Sequence, residues 1–193
     1  MEENFRKAAQ KGDVEEVKRI LRTSPNLDVN WKNETEDEEE EVSTSLGVAC
    51  SGDHSAVVSI LLAHPAIDAN SEVVARYTPF LRACCYGSTS CACVMLGDSR
   101  VKVNEPDRDG STPLWHAAVN GHLDTIKWWI ASGREMDLGT PGELETDAIG
   151  EARNEGKTEV VSLLERFKSD AAKTRGEARM ELGITGQSPA PLH

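Results

Sequence analysis

One segment of this chain occurs twice, and this repeat constrains the fold more than any other feature. TPFLRACCYGSTSCACVML begins at Thr78, and the related TPLWHAAVNGHLDTIKWWI begins 34 residues later at Thr112. Each copy contains two short amphipathic segments separated by a glycine. A repeat of this length predicts a stack of similar modules, each packed against its neighbours, in place of a single globular core.

The second copy gives the pattern within one unit. Leu114, Ala117 and Ala118 are spaced i, i+3 and i+4, which places them on one face of a first helix. Gly121 follows where the C-terminus of that helix is expected. A second amphipathic helix then runs as far as Gly133. Each unit is therefore predicted to be a helix–turn–helix.

The same frame fits five places in the chain. Five residues after the first position of each unit stands an alanine, which lets neighbouring first helices approach closely. These alanines are Ala8, Ala49, Ala83, Ala117 and Ala152. The predicted units cover about residues 2–33, 43–70, 76–104, 110–138 and 145–167. In the next column, Arg153 replaces the Ala or Cys of the other units, which indicates a solvated end face.

Two helices followed by an extended segment, with T-P-L/F before the first helix and G-H before the second, resemble the ankyrin repeat. We call the extended segment between two units a finger. The resemblance covers residues 2–167 and implies an all-α ankyrin-repeat solenoid of about five units with short β-hairpin-like fingers. Unit two departs from the pattern, with Ser45 for proline and its glycine displaced to Gly52. Residues 168–193 are expected to form a weak helix and then a disordered tail.

An acidic insertion lies in the finger before unit two. Asn70 and Asn104 precede the next unit by eight residues, whereas Asn30 precedes Thr44 by fourteen, so this finger is six residues longer. Residues 34–41 (ETEDEEEE) supply seven acids to a chain of net charge −12. The run is interpreted either as a solvated loop or as a negative fingertip that attracts a partner with a basic surface. Nucleic acid is not an expected partner of so acidic a chain.

Composition restricts the location of the protein. No apolar run approaches the roughly 20 residues of a membrane span, and the N-terminus resembles neither a secretory signal nor a transit peptide. We therefore expect no membrane partner, and a cytoplasmic or alternatively nuclear monomer. Five cysteines, an odd number, argue against a disulfide framework.

Several residues that suggest chemistry have an explanation in packing. Cys84, Cys85, Cys91 and Cys93 lack the C-x(2–4)-C spacing that structural zinc prefers. The histidines, including His122, have no nucleophile and base at workable spacing. The resemblance implies that His54 and His122, in the G-H position, bond backbone between layers. Trp128-Trp129 could form an aromatic binding platform, but both fall in second-helix columns. Core packing against unit five is therefore expected, with one Trp edge partly exposed on the convex side. No metal, cofactor or enzyme activity is predicted.

The resemblance implies a non-catalytic protein–protein interaction module that binds its partner on the concave face and the fingers. The alternative is an interaction or targeting fragment of a larger multidomain protein whose activity lies elsewhere. The predicted contact residues are Glu40, Glu41, Ser43, Ser51, Val74, Ala75, Tyr77, Tyr86, Arg108, Asp109, Ser111, Asn120, Glu143 and Asn154. Both tyrosines of the chain belong to this set, and tyrosine is favoured at binding hot spots.

Overall fold

The computed structural model of the protein describes residues 1–33, 42–139 and 147–185. Within these ranges the chain forms eleven α-helices, one 3₁₀ turn and no β-strand beyond the single bridge between Lys32 and Thr44. None of these helices is both long and apolar enough to cross a bilayer. The helices are α1 Glu2–Gln10, α2 Val14–Thr23, α3 Ser45–Ser51, α4 Ser55–Leu62, α5 Pro79–Tyr86, α6 Thr89–Leu96, α7 Pro113–Val119, α8 Leu123–Ser132, α9 Ala148–Asn154, α10 Thr158–Ser169 and α11 Ala171–Glu181.

Two layers of helices make the stack. The first helices of the units, α1, α3, α5, α7 and α9, pack in series and form one layer. The second helices, α2, α4, α6, α8 and α10, pack in series and form the other. The all-helical solenoid predicted from the sequence is confirmed. All five alanines of the predicted close-approach column are buried, whereas Arg153 is exposed and pairs with Glu165 at 2.6 Å.

Side-chain caps fix where the first helices begin. In units two to five, the residue before the helix accepts a hydrogen bond from the backbone N–H three residues on, at 2.7 to 3.2 Å. This bond satisfies one of the amides that a helix N-terminus leaves unpaired. Units three and four add proline at the first helical position, where no backbone N–H is needed. The capping residues are Thr44, Thr78, Thr112 and Asp147.

Asp53 explains the displaced glycine of unit two. Its backbone has φ 54, in the left-handed region that glycine occupies at the equivalent position of the other units. The Asp53 side chain accepts a hydrogen bond from the N–H of Cys91, at 2.9 Å, in the first turn of α6. Ser88, which precedes α6, makes no such cap and instead donates to the carbonyl of Ser51 in unit two. Unit two thus caps a helix of unit three.

Asparagines link successive units on the finger side of the second helices. The Asn70 side chain donates to the carbonyl of Arg100 at 2.9 Å and accepts from the N–H of Lys102 at 2.8 Å. Asn30 and Asn104 make the equivalent pair of bonds to the unit that follows each of them. The series ends after unit four, where the equivalent position is Gly139.

The helix α11 folds back on the second-helix layer and packs against α8 and α10. Only Thr174 and Ala178 of this helix are buried. Arg175 and Arg179 donate to the carbonyls of Ile130 and Ala131 at the C-terminal end of α8. Such polar contacts leave little hydrophobic periodicity, which is why the sequence pattern predicts an array that ends at residue 167 and only a weak helix after it.

Candidate protein-interaction surface

Backbone carbonyls of finger three accept hydrogen bonds from the described residues of the fingers on either side. We number each finger by the unit that it precedes: finger two is 31–44, finger three 71–78, finger four 105–112 and finger five 139–147. The Lys32 ammonium donates to the carbonyl of Glu72, which joins fingers two and three. The N–H of Arg108 donates to the carbonyl of Ala75 at 2.9 Å, which joins fingers three and four. These two bonds link the described residues of fingers two, three and four along one edge.

A buried carboxylate holds finger four in a fixed shape. Asp107 Oδ1 accepts from the backbone N–H of Asp109 and of Ser111, at 3.0 and 2.9 Å. Its Oδ2 lies 2.8 Å from Nε2 of His116, a buried residue on α7. Gly110 takes the positive φ that the turn requires, φ 83. The Asp107 carboxylate therefore bonds both the turn and the His116 ring, and both residues have a structural role.

Finger three makes the same two backbone bonds of the turn without these supports. Its backbone bonds, from Val73 N–H to the carbonyl of Tyr77 and from Arg76 N–H to the carbonyl of Val73, repeat those of finger four. Val73, however, stands where finger four has its aspartate, and Arg76 stands where it has glycine. Arg76 takes the positive φ of its counterpart Gly110, at 63, and Ala75 has a positive φ of 60 that its counterpart Asp109 lacks. Residues other than glycine are strained in this region of φ, so the backbone of finger three is strained.

Most of the predicted contact residues that the structure describes reach the surface. Those that are exposed are Tyr86, Arg108, Asp109, Asn120 and Asn154, and those that are partly exposed are Ser51, Ala75 and Tyr77. Glu40, Glu41 and Glu143 lie outside the described residues, and so does the side chain of Val74. Whether these positions contact a partner stays a prediction.

Two of the predicted positions are corrected by the structure. Ser43 and Ser111 are buried, with exposed fractions of 2% and 4%. The backbone N–H of Ser43 donates to the side chain of Asn33 at 2.7 Å, and that of Ser111 donates to Asp107. Both serines therefore stabilise the base of a finger and do not face a partner. The repeat frame placed them on a finger but carried no information about these side-chain acceptors.

The two tyrosines differ in their surroundings. Tyr86 is the last residue of α5, and its side chain is 55% exposed. Beside it, the carbonyl of Cys85 accepts hydrogen bonds from the side chains of His122 and Asn120 of unit four, at 3.0 and 3.4 Å. Tyr77, on finger three, packs edge-on against the ring of His116, with centroids 5.6 Å apart. Tyr86 is thus the more accessible aromatic of this face.

The structure also shows a residue that sequence reasoning missed. Arg82 of α5 is buried, and its guanidinium lies 3.4 Å from the carbonyl of Val42 and from the hydroxyl of Ser51. It therefore supports finger two from below. The sequence feature that could have indicated this role is an arginine at a first-helix position where units two and four have Val48 and His116.

The cysteines and the G-H histidines occupy packing positions. Cys50, Cys84 and Cys91 are buried, and burial raises the pKa of the Cys84 thiol. Burial, with a smaller effect of the nearby Asp53 carboxylate, raises the pKa of half-buried Cys93 to about 11. Among the residues that the structure describes, no three His, Cys, Asp or Glu side chains form a group suited to a metal ion.

His54 and His122 lie 3.0 Å from carbonyl oxygens of the preceding unit, those of Gln10 and Cys85 respectively. This is the interlayer backbone bond implied by the resemblance. Trp129 is fully buried, as expected for the core, and its ring meets that of Phe80 edge to face. These residues hold the helix layers together. The exposed side chains of the fingers have no such packing role.

Comparison with known proteins places these features in a family. A family model described as ankyrin repeats (3 copies) matches residues 5–107 and 68–140. The SMC5-SMC6 complex localization factor protein 1 of Bos taurus is 29% identical over 147 residues, which cover 72% of this chain and 14% of that protein. The palmitoyltransferase ZDHHC17 of Rattus norvegicus is 30% identical over 86 residues, 44% of this chain and 14% of that protein. The chain therefore spans about one-seventh of the length of these curated relatives.

Proposed function

Because the chain belongs to the ankyrin-repeat family, whose repeats are generally non-catalytic protein-interaction modules, we propose that it recognises a protein partner through its fingers and the exposed ends of its first helices. One observation carries this proposal: Tyr86, 55% exposed, stands at the end of α5 in a helix layer whose other large apolar side chains are mostly buried. An exposed tyrosine offers a large apolar area and a polar tip at a small cost in rotamer entropy.

Charge indicates what kind of partner this surface suits. Fingers two, three, four and five carry −6, 0, −2 and −3, which leaves only −1 of the net −12 to the rest of the chain. Fingers with such an excess of negative charge attract a positively charged surface over distances comparable to the Debye length, about 10 Å at 0.1 M salt. We therefore propose a partner with a basic surface, whose association is faster at low salt.

A second candidate function is that of an interaction or targeting segment within a larger protein. The observation that favours it is that the matched region makes up only 14% of the SMC5-SMC6 complex localization factor protein 1 and of ZDHHC17. In that case the partner surface proposed above is unchanged, and any enzyme activity belongs to other parts of the larger chain.

Affinity capture from a lysate of the source cells tests the first proposal. Four immobilised baits are compared at low and high salt: the intact chain, a deletion of residues 34–41, Tyr86→Ala, and the matched control Met180→Ala. Met180 is 77% exposed on α11, away from the fingers. We expect Tyr86→Ala to reduce capture of a specific protein at least tenfold, and the deletion to reduce it mainly at low salt. Met180→Ala should capture as much as the intact chain.

The stability of the Tyr86→Ala variant separates binding from folding. An exposed side chain contributes little to stability, so its loss should change the free energy of unfolding by less than about 1 kcal/mol. Capture that depends on Met180 and not on Tyr86 would move the binding surface to the opposite layer. Capture that is indifferent to the deletion at every salt concentration would reduce residues 34–41 to a linker.

A further inference from the structure

The second helices of units two and three are uncharged at the protein surface. Four equivalent positions of the second helix in each of units one to three are exposed or partly exposed, and we call them the outer positions. In unit one all four carry a charge, whereas in units two and three none does. The outer positions are Glu15, Lys18, Arg19 and Arg22 in unit one, Ala56, Ser59, Ile60 and Ala63 in unit two, and Ser90, Cys93, Val94 and Gly97 in unit three.

The absence of charge extends over the whole of both helices. Each of α4 and α6 is eight residues long and contains no Asp, Glu, Lys or Arg, in a chain of which 28% is charged. The two helices pack side by side, so their outer positions form one surface, which we call the outer face. A surface helix ordinarily carries charged or polar residues on the side away from the core. The composition of α4 and α6 is therefore typical of helices that are covered by an apolar surface.

The helix α11 shows how the same layer is covered further along the stack. It packs against α8 and α10, and its Thr174 and Ala178 are buried. Its Arg179 donates to the carbonyl of Ala131 at the end of α8. Ala131 has an exposed fraction of 1%, whereas its equivalent in unit two, Ala63, is exposed. A helix that lies on the second helices thus buries a position that units two and three leave open.

We propose that the outer face of α4 and α6 binds one α-helix of a protein partner, which lies on this layer as α11 lies on α8 and α10. The contacting side of that helix carries small and aliphatic residues and no charge. A charged side chain brought against the outer face would lose its water without gaining an ion pair, because α4 and α6 offer no charge in return. Ile60 and Val94 supply the apolar area that favours binding. Tyr86 belongs to the first-helix layer, so this site is distinct from that of the proposed function.

The size of the outer face favours a single helix over a second copy of this chain. Helices of eight residues are about 12 Å long, and neighbouring packed helices lie about 8–10 Å apart. The outer face therefore measures about 250 Å², whereas a stable protein interface buries about 800 Å² on each partner. A second copy would also have to cover the charged outer positions of α2, or Asp124 and Lys127 on α8. One helix lying along α4 and α6 needs neither.

Selection from a phage-displayed library of helical peptides on the full chain tests this inference. Each peptide has about 16 residues, enough to form a helix in water, and four randomised positions on one side, spaced i, i+3, i+4 and i+7. Enriched peptides should carry small or aliphatic residues at these four positions and no charged residue. The best peptide is then synthesised with a fluorophore, and its dissociation constant is measured by fluorescence anisotropy.

Three variants of the chain locate the bound peptide. Ser90→Glu and Ser59→Lys each place a charge on the outer face, and each should weaken binding at least tenfold. The fold accepts these residues, because unit five has Glu159 at the position of Ser90 and unit one has Lys18 at that of Ser59. The matched control Ser169→Glu, at the exposed last residue of α10, should change binding less than twofold.

A fourth variant separates this site from that of the proposed function. Tyr86→Ala should leave the affinity for the selected peptide unchanged within twofold. A loss of binding in Tyr86→Ala would place the peptide on the first-helix layer, which overturns this inference and supports the proposed function.

Four other results overturn the inference. The first is enrichment of peptides with charged residues on the contacting side, and the second is binding that survives both Ser90→Glu and Ser59→Lys. The third is sedimentation of the chain alone as a dimer that Ser90→Glu dissociates, because a second copy would then cover the outer face. The fourth is a library that yields no enriched peptide.

Discussion

Backbone strain and helix capping both contribute to the stability of the protein at Asp53, and substitutions can separate the two contributions. The φ of 54 at this residue lies in the left-handed region, which costs a residue other than glycine on the order of 1 kcal/mol. The bond from Cys91 N–H to the Asp53 carboxylate, 2.9 Å long, satisfies an amide at the start of α6. A side-chain cap of this kind typically contributes about 1 kcal/mol.

Three variants divide these contributions. Asp53→Ala removes the cap and keeps the strain, so the free energy of unfolding should fall by about 1–1.5 kcal/mol. Asp53→Gly also removes the cap but relieves the strain, and the two effects should cancel to within about 0.5 kcal/mol. Asp53→Asn keeps an acceptor oxygen and loses only the charge, so it should cost about 0.5 kcal/mol.

Urea unfolding followed by both tryptophan fluorescence and circular dichroism measures these differences, because a stack of repeats need not unfold in one step. Hydrogen exchange of the Cys91 amide gives a local readout. Its protection should fall in the Ala and Gly variants and persist in the Asn variant. Glu155→Ala, at an exposed acid that follows α9, serves as the control and should change stability by less than about 0.5 kcal/mol.

The outcome that would refute this reasoning is equal destabilisation by Ala and by Gly, since the left-handed backbone would then carry no cost. An Asp53→Ala variant as stable as the original chain, with an equally protected Cys91 amide, would show that the bond between units two and three contributes nothing.

Three further substitutions or reactions follow from the structure. Arg76→Gly should stabilise the protein by about 1 kcal/mol, because glycine adopts this positive φ freely; a lower urea midpoint would show that finger three is unstrained. Asn70→Ala should cost about 1–2 kcal/mol, since it removes two bonds to unit three, including that to Arg100; an unchanged midpoint would mean that water replaces them. Cys93, with its pKa raised to about 11, should react with iodoacetamide slowly near pH 8 and faster near pH 10. Buried Cys84 should remain unlabelled in peptide mass maps until the protein unfolds.

The binding surface could be predicted only in part. The repeat frame located the finger edge and the ends of the first helices, and Tyr86 is exposed where the frame placed it. The frame could not show that Ser43 and Ser111 turn inward, because their burial depends on Asn33 and Asp107. Nor could it show that Arg82 supports finger two, since that contact joins residues 40 positions apart.

The sequence by itself determined the number of helix pairs, their phase and the polar end face at Arg153, because each unit repeats the same local pattern and packs on a like neighbour. Only the tertiary structure decided what departs from that pattern. Asp53 caps a helix of the next unit, α11 docks through Arg175 and Arg179, and Arg76 takes a backbone conformation meant for glycine. The physical reason is common to all three. Residue type and spacing along the chain determine which positions are buried in each unit. A single hydrogen bond or a strained φ depends instead on where a distant segment of the chain lies.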